Sequence, residues 1–306
     1  VAVSGMTGSG TVIATVPANV AEDGAGNDNT ASTSTDNTVT YNAPDATAPT
    51  VTINQAAGQD DPTSDSPINF TVVFSEPVTG FATGDVTLSG TAGATMAIVT
   101  GSGTTYNVAV SGMTGSGTVI ATVPANVAED GAGNDNEAST STDNTVTYDA
   151  TAPDTTITGN PPNPSTSSSA SFTFTGNDGG GVGGVTFECR VNAGLWIDCT
   201  SPQTYNGLSD GSYTFEVRAI DSLGNTDPTP AAYTWIIDTT GPTVTINQAA
   251  GQADPTSASP INFTVVFSEP VNGFATGDVT LSGTAGATTA VVTGSGTTYN
   301  VAVSGM

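Results

Sequence analysis

Carboxylates recur in this sequence at three kinds of position, and they are the side chains best suited to chemistry. One Asp stands four residues before a proline, a second opens a loop of the form Asp-x-x-Gly-Asn, and a third acid follows an alternating apolar run. The motifs are DATAP (45–49 and 149–153) and DTTGP (238–242), DGAGN (23–27 and 130–134) and DSLGN (221–225), and FSEP (74–77 and 267–270) and GNDG (176–179). Carboxylate oxygens in a chain without His favour Ca²⁺ over zinc or copper.

Short β-strands must position these acids, because the alternating runs of Val, Thr, Ile and Phe end at Gly, Pro, Ser, Asn or Asp. The runs in one full unit are TVTIN (50–54), INFTVVF (68–74), DVTLSG (85–90), TMAIVTG (95–101), TYNVAV (105–110), TVIATVP (118–124) and NTVTY (144–148). Those between 152 and 240 are TTIT (155–158), ASFTFTG (170–176), GVTFECRV (184–191), LWIDC (195–199), SYTFEVRAI (212–220) and AAYTWII (231–237). This pattern predicts an all-β fold of tandem seven-stranded immunoglobulin-like β-sandwiches arranged head to tail, with Tyr213 at a tyrosine corner.

The sandwich topology predicts that the three kinds of acid converge. The connections after the second and sixth strands lie at the end where the chain enters the sandwich, and the linker Asp arrives at the same end. Each domain junction should therefore gather three carboxylates. The predicted metal ligands are Asp45, Glu76 and Asp130; Asp149, Asp178 and Asp221; and Asp238, Glu269 and a third acid whose equivalent in this sequence is Asp23.

Two interpretations of these clusters stay open. Three converging carboxylates repel one another by a kcal/mol or more per close pair, and two Arg residues cannot neutralise them all. Calcium at the junctions would remove that repulsion. The alternative is that the Asp-x-x-Gly-Asn loops are ordinary turns and that the other acids are solvated.

Composition excludes several classes of function. The net charge is −26, with two Arg, no Lys and no His, so no basic face for nucleic acid or anionic membranes can form. No apolar run reaches the roughly 18 residues of a membrane helix, so direct membrane insertion is not expected. Catalysis is not expected either, because the usual general bases and nucleophiles are missing, although a glycosidase with two carboxylates stays formally open.

Internal repeats set the expected domain organisation. Residues 1–41 match 108–148 except that Thr30 replaces Glu137, and residues 49–113 match 242–306 except at five positions. The predicted domains are the C-terminal part of an Ig-like repeat (1–46), a complete repeat (47–150), a divergent module (151–239) and the N-terminal part of a repeat (240–306). The last part would be completed by the equivalent of residues 7–46.

The completing segment has two candidate sources. One is a longer polypeptide that runs through many periods of about 300 residues, which the sequence favours. The other is a set of subunits that complete one another by strand donation. In both cases the expected partners are copies of the same sequence.

The unit motifs resemble a known family. The stretches PTVTINQ (49–55), INFTVVFSEPVTGFATGDVTLSGTAG (68–93) and PANVAEDGAGN (124–134) are similar to the bacterial Ig-like domains of large surface proteins and adhesins. The segment from FECRVNAGLWIDC (187–199) to AAYTW (231–235) resembles a second Ig-like or fibronectin type III-like module. The resemblance implies secreted, non-catalytic spacers at the cell surface, often stiffened by calcium.

Two cysteines agree with an extracellular location. Cys189 and Cys199 flank a hairpin whose tip is Asn-Ala-Gly, so they would face each other across two strands. Together with the extracellular resemblance, this placement favours a disulfide, and two free thiols are the alternative.

Two functional classes follow from the whole sequence. The first is a structural segment of a long extracellular fibre or adhesin stalk, stiffened by Ca²⁺ at its junctions. The second is an adhesive module that binds a glycan or a protein, for which aromatic loop tips would be expected. The repeated loops carry Gly, Ala, Ser, Asn and Asp instead, which favours the structural class.

Overall fold

All 306 residues are described by a computed structural model of the chain, and its regular elements are all β-strands. The all-β prediction is therefore confirmed. No helix is long and apolar enough to cross a membrane. The chain folds into two compact units, which comprise Val1–Thr156, Gly176–Glu188 and Arg218–Pro230, and Ile157–Thr175, Cys189–Val217 and Ala231–Met306. Residues of 151–239 belong to both units, and the four predicted domain boundaries stay a prediction.

Residues 45–150 hold two three-stranded antiparallel sheets. Their strands are β3 (Val51–Gln55), β4 (Ile68–Val78), β5 (Thr87–Ser89), β6 (Met96–Ser111), β7 (Gly117–Thr122) and β8 (Thr145–Tyr148). The strand orders are β3-β4-β6 and β5-β7-β8. Alternate residues of β4 are buried, so Ile68, Phe70 and Val72 enter a core shared with Val119 and Val146 of the other sheet. The sequence predicted separate strands at 95–101 and 105–110, and both lie in the continuous strand β6.

The segment 154–237 carries seven strands in sheets of three and four. They are β9 (Asp154–Gly159), β10 (Ala170–Asn177), β11 (Thr186–Val191), β12 (Ile197–Cys199), β13 (Gln203–Tyr205), β14 (Gly211–Ile220) and β15 (Ala231–Ile237). The strand orders are β13-β10-β9 and β12-β11-β14-β15. Sequence reasoning missed β13, a three-residue strand that pairs with β10. Stacked Phe172 and Phe215 fill the interior beside the fully buried Trp235.

Tyr213 forms the predicted tyrosine corner. Its hydroxyl donates a 3.0 Å hydrogen bond to the Ser209 carbonyl, four residues upstream, and its ring stacks on Trp235. This bond fixes the start of β14 against the preceding loop, as in other Ig-like sandwiches.

Cys189 and Cys199 form the predicted disulfide. The bond joins β11 to β12 with a Cα–Cα distance of 5.8 Å, and the chain has no free cysteine. Between them, Asn192 and Ala193 take the left-handed backbone conformation that a tight hairpin requires.

Removal of this disulfide should lower the stability of the segment 151–239. Because the bond closes a loop of ten residues, the Cys189→Ala and Cys199→Ala double variant should lose about 2–3 kcal/mol on the chain-entropy model. Urea denaturation followed by Trp fluorescence measures the loss, since both Trp residues lie in this segment. A reductant should shift the wild-type transition and leave that of the double variant in place. An equal transition for both proteins would contradict this role.

Residues 1–41 and 242–306 repeat parts of 45–150 in sequence and in strand register. Residues 1–41 form a hairpin of β1 (Gly10–Ile13) and β2 (Thr38–Tyr41). Residues 242–306 form one sheet of order β16-β17-β18, with β16 (Val244–Gln248), β17 (Ile261–Val271) and β18 (Thr289–Ser304). Both segments expose apolar side chains whose counterparts in 45–150 are buried.

Candidate metal centres

The first predicted carboxylate cluster forms as expected. Asp45 lies in the linker before β3, Glu76 near the end of β4, and Asp130 in the loop after β7. One carboxylate oxygen from each lies within 4.8 Å of the other two. Glu76 follows the run that the sequence predicted as the second strand, and it lies inside β4 because that strand extends to Val78.

The second predicted cluster has the same plan. Asp149 follows β8, Asp178 follows β10, and Asp221 follows β14. Their ligand oxygens also lie within 4.8 Å of one another. Both Asp149 and Asp221 are buried, at 1% and 5% exposure, so solvent screens this cluster poorly.

The Asp-x-x-Gly-Asn loops donate hydrogen bonds to their own carboxylates. Asp130 Oδ1 accepts hydrogen bonds from the Ala132 and Asn134 amides at 2.8 and 2.9 Å, and Asn134 Nδ2 donates to Oδ2 at 2.8 Å. The bonds from Asn134 are the main cause that lowers the pKa of Asp130. Asp221 accepts the same three bonds from Leu223 and Asn225.

The Asn of each loop also ties that loop to the linker, which sequence reasoning missed. Asn134 Nδ2 donates to the Asp45 carbonyl at 3.3 Å, and Asn225 Nδ2 donates to the Asp149 carbonyl at 3.2 Å. The only signal was the recurrence of Asn at the fifth position of each loop. The two clusters therefore share a backbone arrangement as well as a set of acids.

Asp178 differs from Asp149 and Asp221 because its carboxylate has no hydrogen-bond partner. Both of its oxygens are buried and neither has a hydrogen-bond partner within the protein. Burial raises the pKa of Asp178, and the negative charges of Asp149 and Asp221 raise it further. Glu76 holds the same place in the first cluster, and burial followed by the charges of Asp130 and Asp45 raises its pKa.

The glycine-rich loop NDGGGVGG (177–184) encloses this second cluster. A Cβ on Gly181 would lie 2.3 Å from Asp178 Oδ2, so a larger residue there would displace the carboxylate. The Val182 amide donates to Asp149 Oδ2 at 2.8 Å. The sequence analysis singled out only Asp178 in this loop, because the other contacts of the loop to the acids are made by backbone groups.

Asp149 is held by three donors. Besides the Val182 amide, the Ser116 hydroxyl and the Thr151 amide donate to Asp149 Oδ1 at 2.9 and 3.0 Å. Burial acts to raise the pKa of Asp149, but these bonds outweigh it and the pKa is lowered. The linker acid is therefore an anion at neutral pH.

The third predicted set is divided between the two units. Asp238 and Glu269 line one cleft beside the linker 238–242. Asp23 belongs to the other unit, where it accepts bonds from the Ala25 and Asn27 amides at 2.8 and 3.0 Å. Bonds from Asn27 are the main cause that lowers the pKa of Asp23. Because the Asp23 loop makes the same hydrogen bonds as the Asp130 loop, the two loops share one conformation.

Protein cations do not neutralise these clusters. Arg190 pairs with Glu216 at 2.7 Å, and Arg218 pairs with Glu188 at 2.6 Å. These are the only two basic side chains in the sequence. Three oxygens at the observed separations suit a hard divalent cation that completes its coordination with carbonyls and water.

Residues 45–150 match the family of bacterial Ig-like domains. The match covers about a third of the chain, and residues 45–150 form a bacterial Ig-like domain. Residues 1–41 and 242–306 repeat parts of this sequence almost unchanged. Ig-like domains are generally not enzymes, and a bacterial Ig-like domain at 45–150 together with the separate Cys189–Cys199 disulfide indicates a structural or adhesive module of an extracellular or surface protein.

Two further comparisons add little to this result. A chain of the solved complex of Dpr2 Ig1-Ig2 with DIP-Theta Ig1-Ig3 aligns with 82% of this chain and 88% of its own length. Its identity is 9% and its TM-score 0.26, too low to support any conclusion. No curated protein matches the chain in sequence.

Proposed function

We propose that this chain is a structural, non-catalytic repeat segment of a long extracellular surface fibre or adhesin stalk, stiffened at its domain junctions by Ca²⁺. The bacterial Ig-like domain at 45–150 and the near-identity of its partial copies support the spacer role, since a spacer needs length and repetition more than distinct surfaces. The disulfide supports an oxidising, extracellular location.

The observation that carries the calcium proposal is the environment of Asp178. A buried carboxylate with two unpartnered oxygens, beside two further carboxylates, is costly unless a cation binds there. The donors around Asp149 and Asp221 are already in use to orient those side chains, as is usual around ligating carboxylates. Asp45, Glu76 and Asp130 would hold a second ion at the equivalent place.

The position of the linker acids supports a role for the ion in stiffening the junction between each linker and the sandwich that follows it. Asp45 and Asp149 belong to the short segments that lead into β3 and β9. The other ligands belong to the sandwich that follows, with Glu76 near the end of β4 and the rest in loops. An ion bound by both groups would connect each linker to two places in that sandwich. Its loss would leave the linker held by the Asn134 or Asn225 amide and by the bonds to Asp149.

Calcium binding tests this proposal directly. Equilibrium dialysis of the EDTA-treated chain against ⁴⁵Ca²⁺, at a concentration low enough to keep it monomeric, should give two sites per chain with Kd of about 10⁻⁴–10⁻³ M. Glu76→Gln should remove one site and Asp178→Asn the other, whereas the exposed Asp154→Asn should remove neither. Small-angle scattering should report a narrower distribution of shapes with Ca²⁺ than with EDTA. Absence of calcium binding at 10 mM would refute the calcium proposal and leave the spacer role to be tested separately.

A further inference from the structure

The linker acid of the second cluster, Asp149, is bonded to residues on both sides of its linker. On the side of the preceding domain, the Asp149 amide donates to the Thr63 carbonyl at 2.8 Å and the Ser116 hydroxyl donates to Asp149 Oδ1 at 2.9 Å. On the side of the segment that follows, the Val182 amide donates to Asp149 Oδ2 at 2.8 Å and Asn225 Nδ2 donates to the Asp149 carbonyl at 3.2 Å. One residue therefore connects the two sides.

Ser116 is the side chain that connects this linker to the preceding domain. It lies directly before β7 and is half-buried. Besides its bond to Asp149, its Oγ accepts from the Ala150 amide at 3.0 Å and lies 2.6 Å from the Thr151 hydroxyl. A hydroxyl has one proton and two lone pairs, so these three contacts use its whole hydrogen-bonding capacity.

The first linker has the same serine and the same acid at a different spacing. Ser9 is the counterpart of Ser116 in the first copy of the repeat. In the second linker the motif DATAP (149–153) follows the repeat directly, whereas in the first linker the three residues Asn-Ala-Pro (42–44) precede the same motif (45–49). Three residues add up to about 10 Å of extended chain.

The added residues separate the first linker acid from the serine. Ser9 Oγ accepts from the Ala43 amide at 2.9 Å, which is the counterpart of the amide bond that Ser116 accepts from the second linker. The two serines therefore contact the same position of the chain, but Asp45 lies two residues beyond that position. Asp45 Oδ1 instead accepts from the Thr47 amide of its own linker at 3.0 Å.

The third linker is connected to the segment before it by a different side chain. Asp210 accepts from the Thr239 amide and hydroxyl at 2.9 and 2.6 Å, and from the Thr240 hydroxyl at 2.7 Å. These two threonines directly follow the linker acid Asp238, at the positions that Ser116 also contacts in the second linker. Two unrelated side chains thus hold a linker at the same place, and neither of these linkers has the added residues.

We propose that Ser116 is a positioning residue that couples the second carboxylate cluster to the domain before it, and that residues 42–44 uncouple the first cluster from the repeat before it. The inference rests on the proposed function for the ions themselves, whereas the hydrogen bonds do not. Donors around a ligating carboxylate fix its orientation and strengthen metal binding. Calcium then makes the junction at 149–153 rigid, and the junction at 42–49 keeps a hinge before its ion.

Calcium affinities of chains with a single site test this coupling. Glu76→Gln leaves only the second cluster to bind the ion, and Asp178→Asn leaves only the first. In equilibrium dialysis of the Glu76→Gln chain, Ser116→Ala should raise Kd for ⁴⁵Ca²⁺ about 10-fold, and Ser116→Thr, which keeps the hydroxyl, should change it less than about 2-fold. Ser9→Ala in the Asp178→Asn chain is the matched control and should leave Kd unchanged.

A longer second linker distinguishes positioning from a general loss of stability. Insertion of Asn-Ala-Pro between Tyr148 and Asp149 reproduces the first linker at the second junction. The insertion should raise Kd of the second cluster about 10-fold, and Ser116→Ala should then add nothing, because the serine no longer reaches the acid. Effects that simply add would overturn the proposal. An unchanged Kd in Ser116→Ala, or a weaker first cluster in Ser9→Ala, would overturn it as well.

The same insertion tests the rigidity of the second junction. With Ca²⁺ present, small-angle scattering should report a broader distribution of shapes for the inserted chain than for the wild type. The reason is that the insertion separates the ion from the domain before it. Equal distributions would contradict a rigid junction at 149–153.

Hydrogen exchange in EDTA tests the coupling without any ion. The Val182 amide donates to Asp149 from the far side of the linker, so its exchange, followed by NMR, reports whether Ser116 positions that carboxylate. Ser116→Ala should speed this exchange about 5-fold or more, and Ser116→Thr should not. If neither chain with a single site binds Ca²⁺ at 10 mM, the calcium proposal fails and faster exchange still upholds the coupling. If Ca²⁺ binds but neither Kd nor exchange responds to Ser116→Ala, the coupling alone is refuted.

Discussion

In calcium-free buffer, Asp178→Asn should stabilise the segment 151–239, and the same substitution should abolish the stabilisation that Ca²⁺ gives to it. Asp178 lies with its oxygens buried and unpartnered within 4.8 Å of ligand oxygens of Asp149 and Asp221. Removal of its charge ends two repulsions, each worth about 1 kcal/mol or more because solvent screens this cluster poorly. The substitution should therefore raise the melting temperature of the calcium-free protein.

Calcium should make the wild type more stable than the Asp178→Asn variant, the reverse of the order expected without calcium. With Kd of about 10⁻⁴–10⁻³ M, 10 mM Ca²⁺ stabilises a folded site by about 1.4–2.7 kcal/mol. The wild type should gain this amount and the Asp178→Asn variant almost none. Calorimetry with EDTA and with 10 mM CaCl₂ measures both effects, and Asp154→Asn serves as the matched control because its side chain is exposed. A stabilising effect of calcium that survives Asp178→Asn would refute the assignment of this ligand.

The contribution of Asp178 to the stability of the calcium-free protein should change with pH in a defined direction. Burial and the neighbouring charges raise the folded-state pKa of Asp178 above its unfolded value. The folded state therefore binds the proton more tightly, and this contribution to stability is present below the unfolded pKa and is lost as pH rises through the folded pKa. Asp178→Asn should remove this component of the pH dependence.

The alternating pattern predicted most of the fold because strand formation and burial depend on the same period of two residues. The run 68–74 alternates buried and partly exposed side chains as expected. The separate strands at 95–101 and 105–110 were predicted because glycines break the pattern, yet Gly101 and Gly103 adopt positive φ inside one strand. The strand Gln203–Tyr205 was missed because three residues carry no detectable period.

The candidate sites were predictable as far as topology determines them. The recurrence of Asp45, Glu76 and Asp130 in the second module, together with the rule that two loops and the linker share one end, identified both clusters. Hydrogen bonding was not predictable in this way. Neither the partnerless state of Asp178 nor the closure of the glycine-rich loop on Asp149 follows from residue types, because both depend on backbone atoms.

The same reasoning explains the difference between the complete domain and its partial copies. Sequence identity predicts the same strands and register, and both are found in β3-β4-β6 and β16-β17-β18. Burial, however, depends on the opposing sheet, which sequence identity alone does not supply. Identical residues therefore contribute different amounts to stability in the two places.

Ile53→Ala and Ile246→Ala should differ widely in their cost, although the two residues occupy the same position of the repeat. Ile53 is fully buried in the core of the complete domain, so its truncation leaves a cavity and should cost about 2–5 kcal/mol. Ile246 is 50% exposed, and its truncation in the monomeric chain should cost less than about 1 kcal/mol.

Hydrogen exchange with mass spectrometry resolves the two sites in one sample. Peptides that cover 51–60 and 244–253 differ in mass because Asp60 is replaced by Ala253, so exchange in β3 and in β16 can be followed separately at increasing urea. Ile53→Ala should move the exchange transition of the 51–60 peptide to a much lower urea concentration and leave that of the 244–253 peptide in place. An equal cost at both sites in the dilute monomer would mean that the face of β16 is already covered within its own chain.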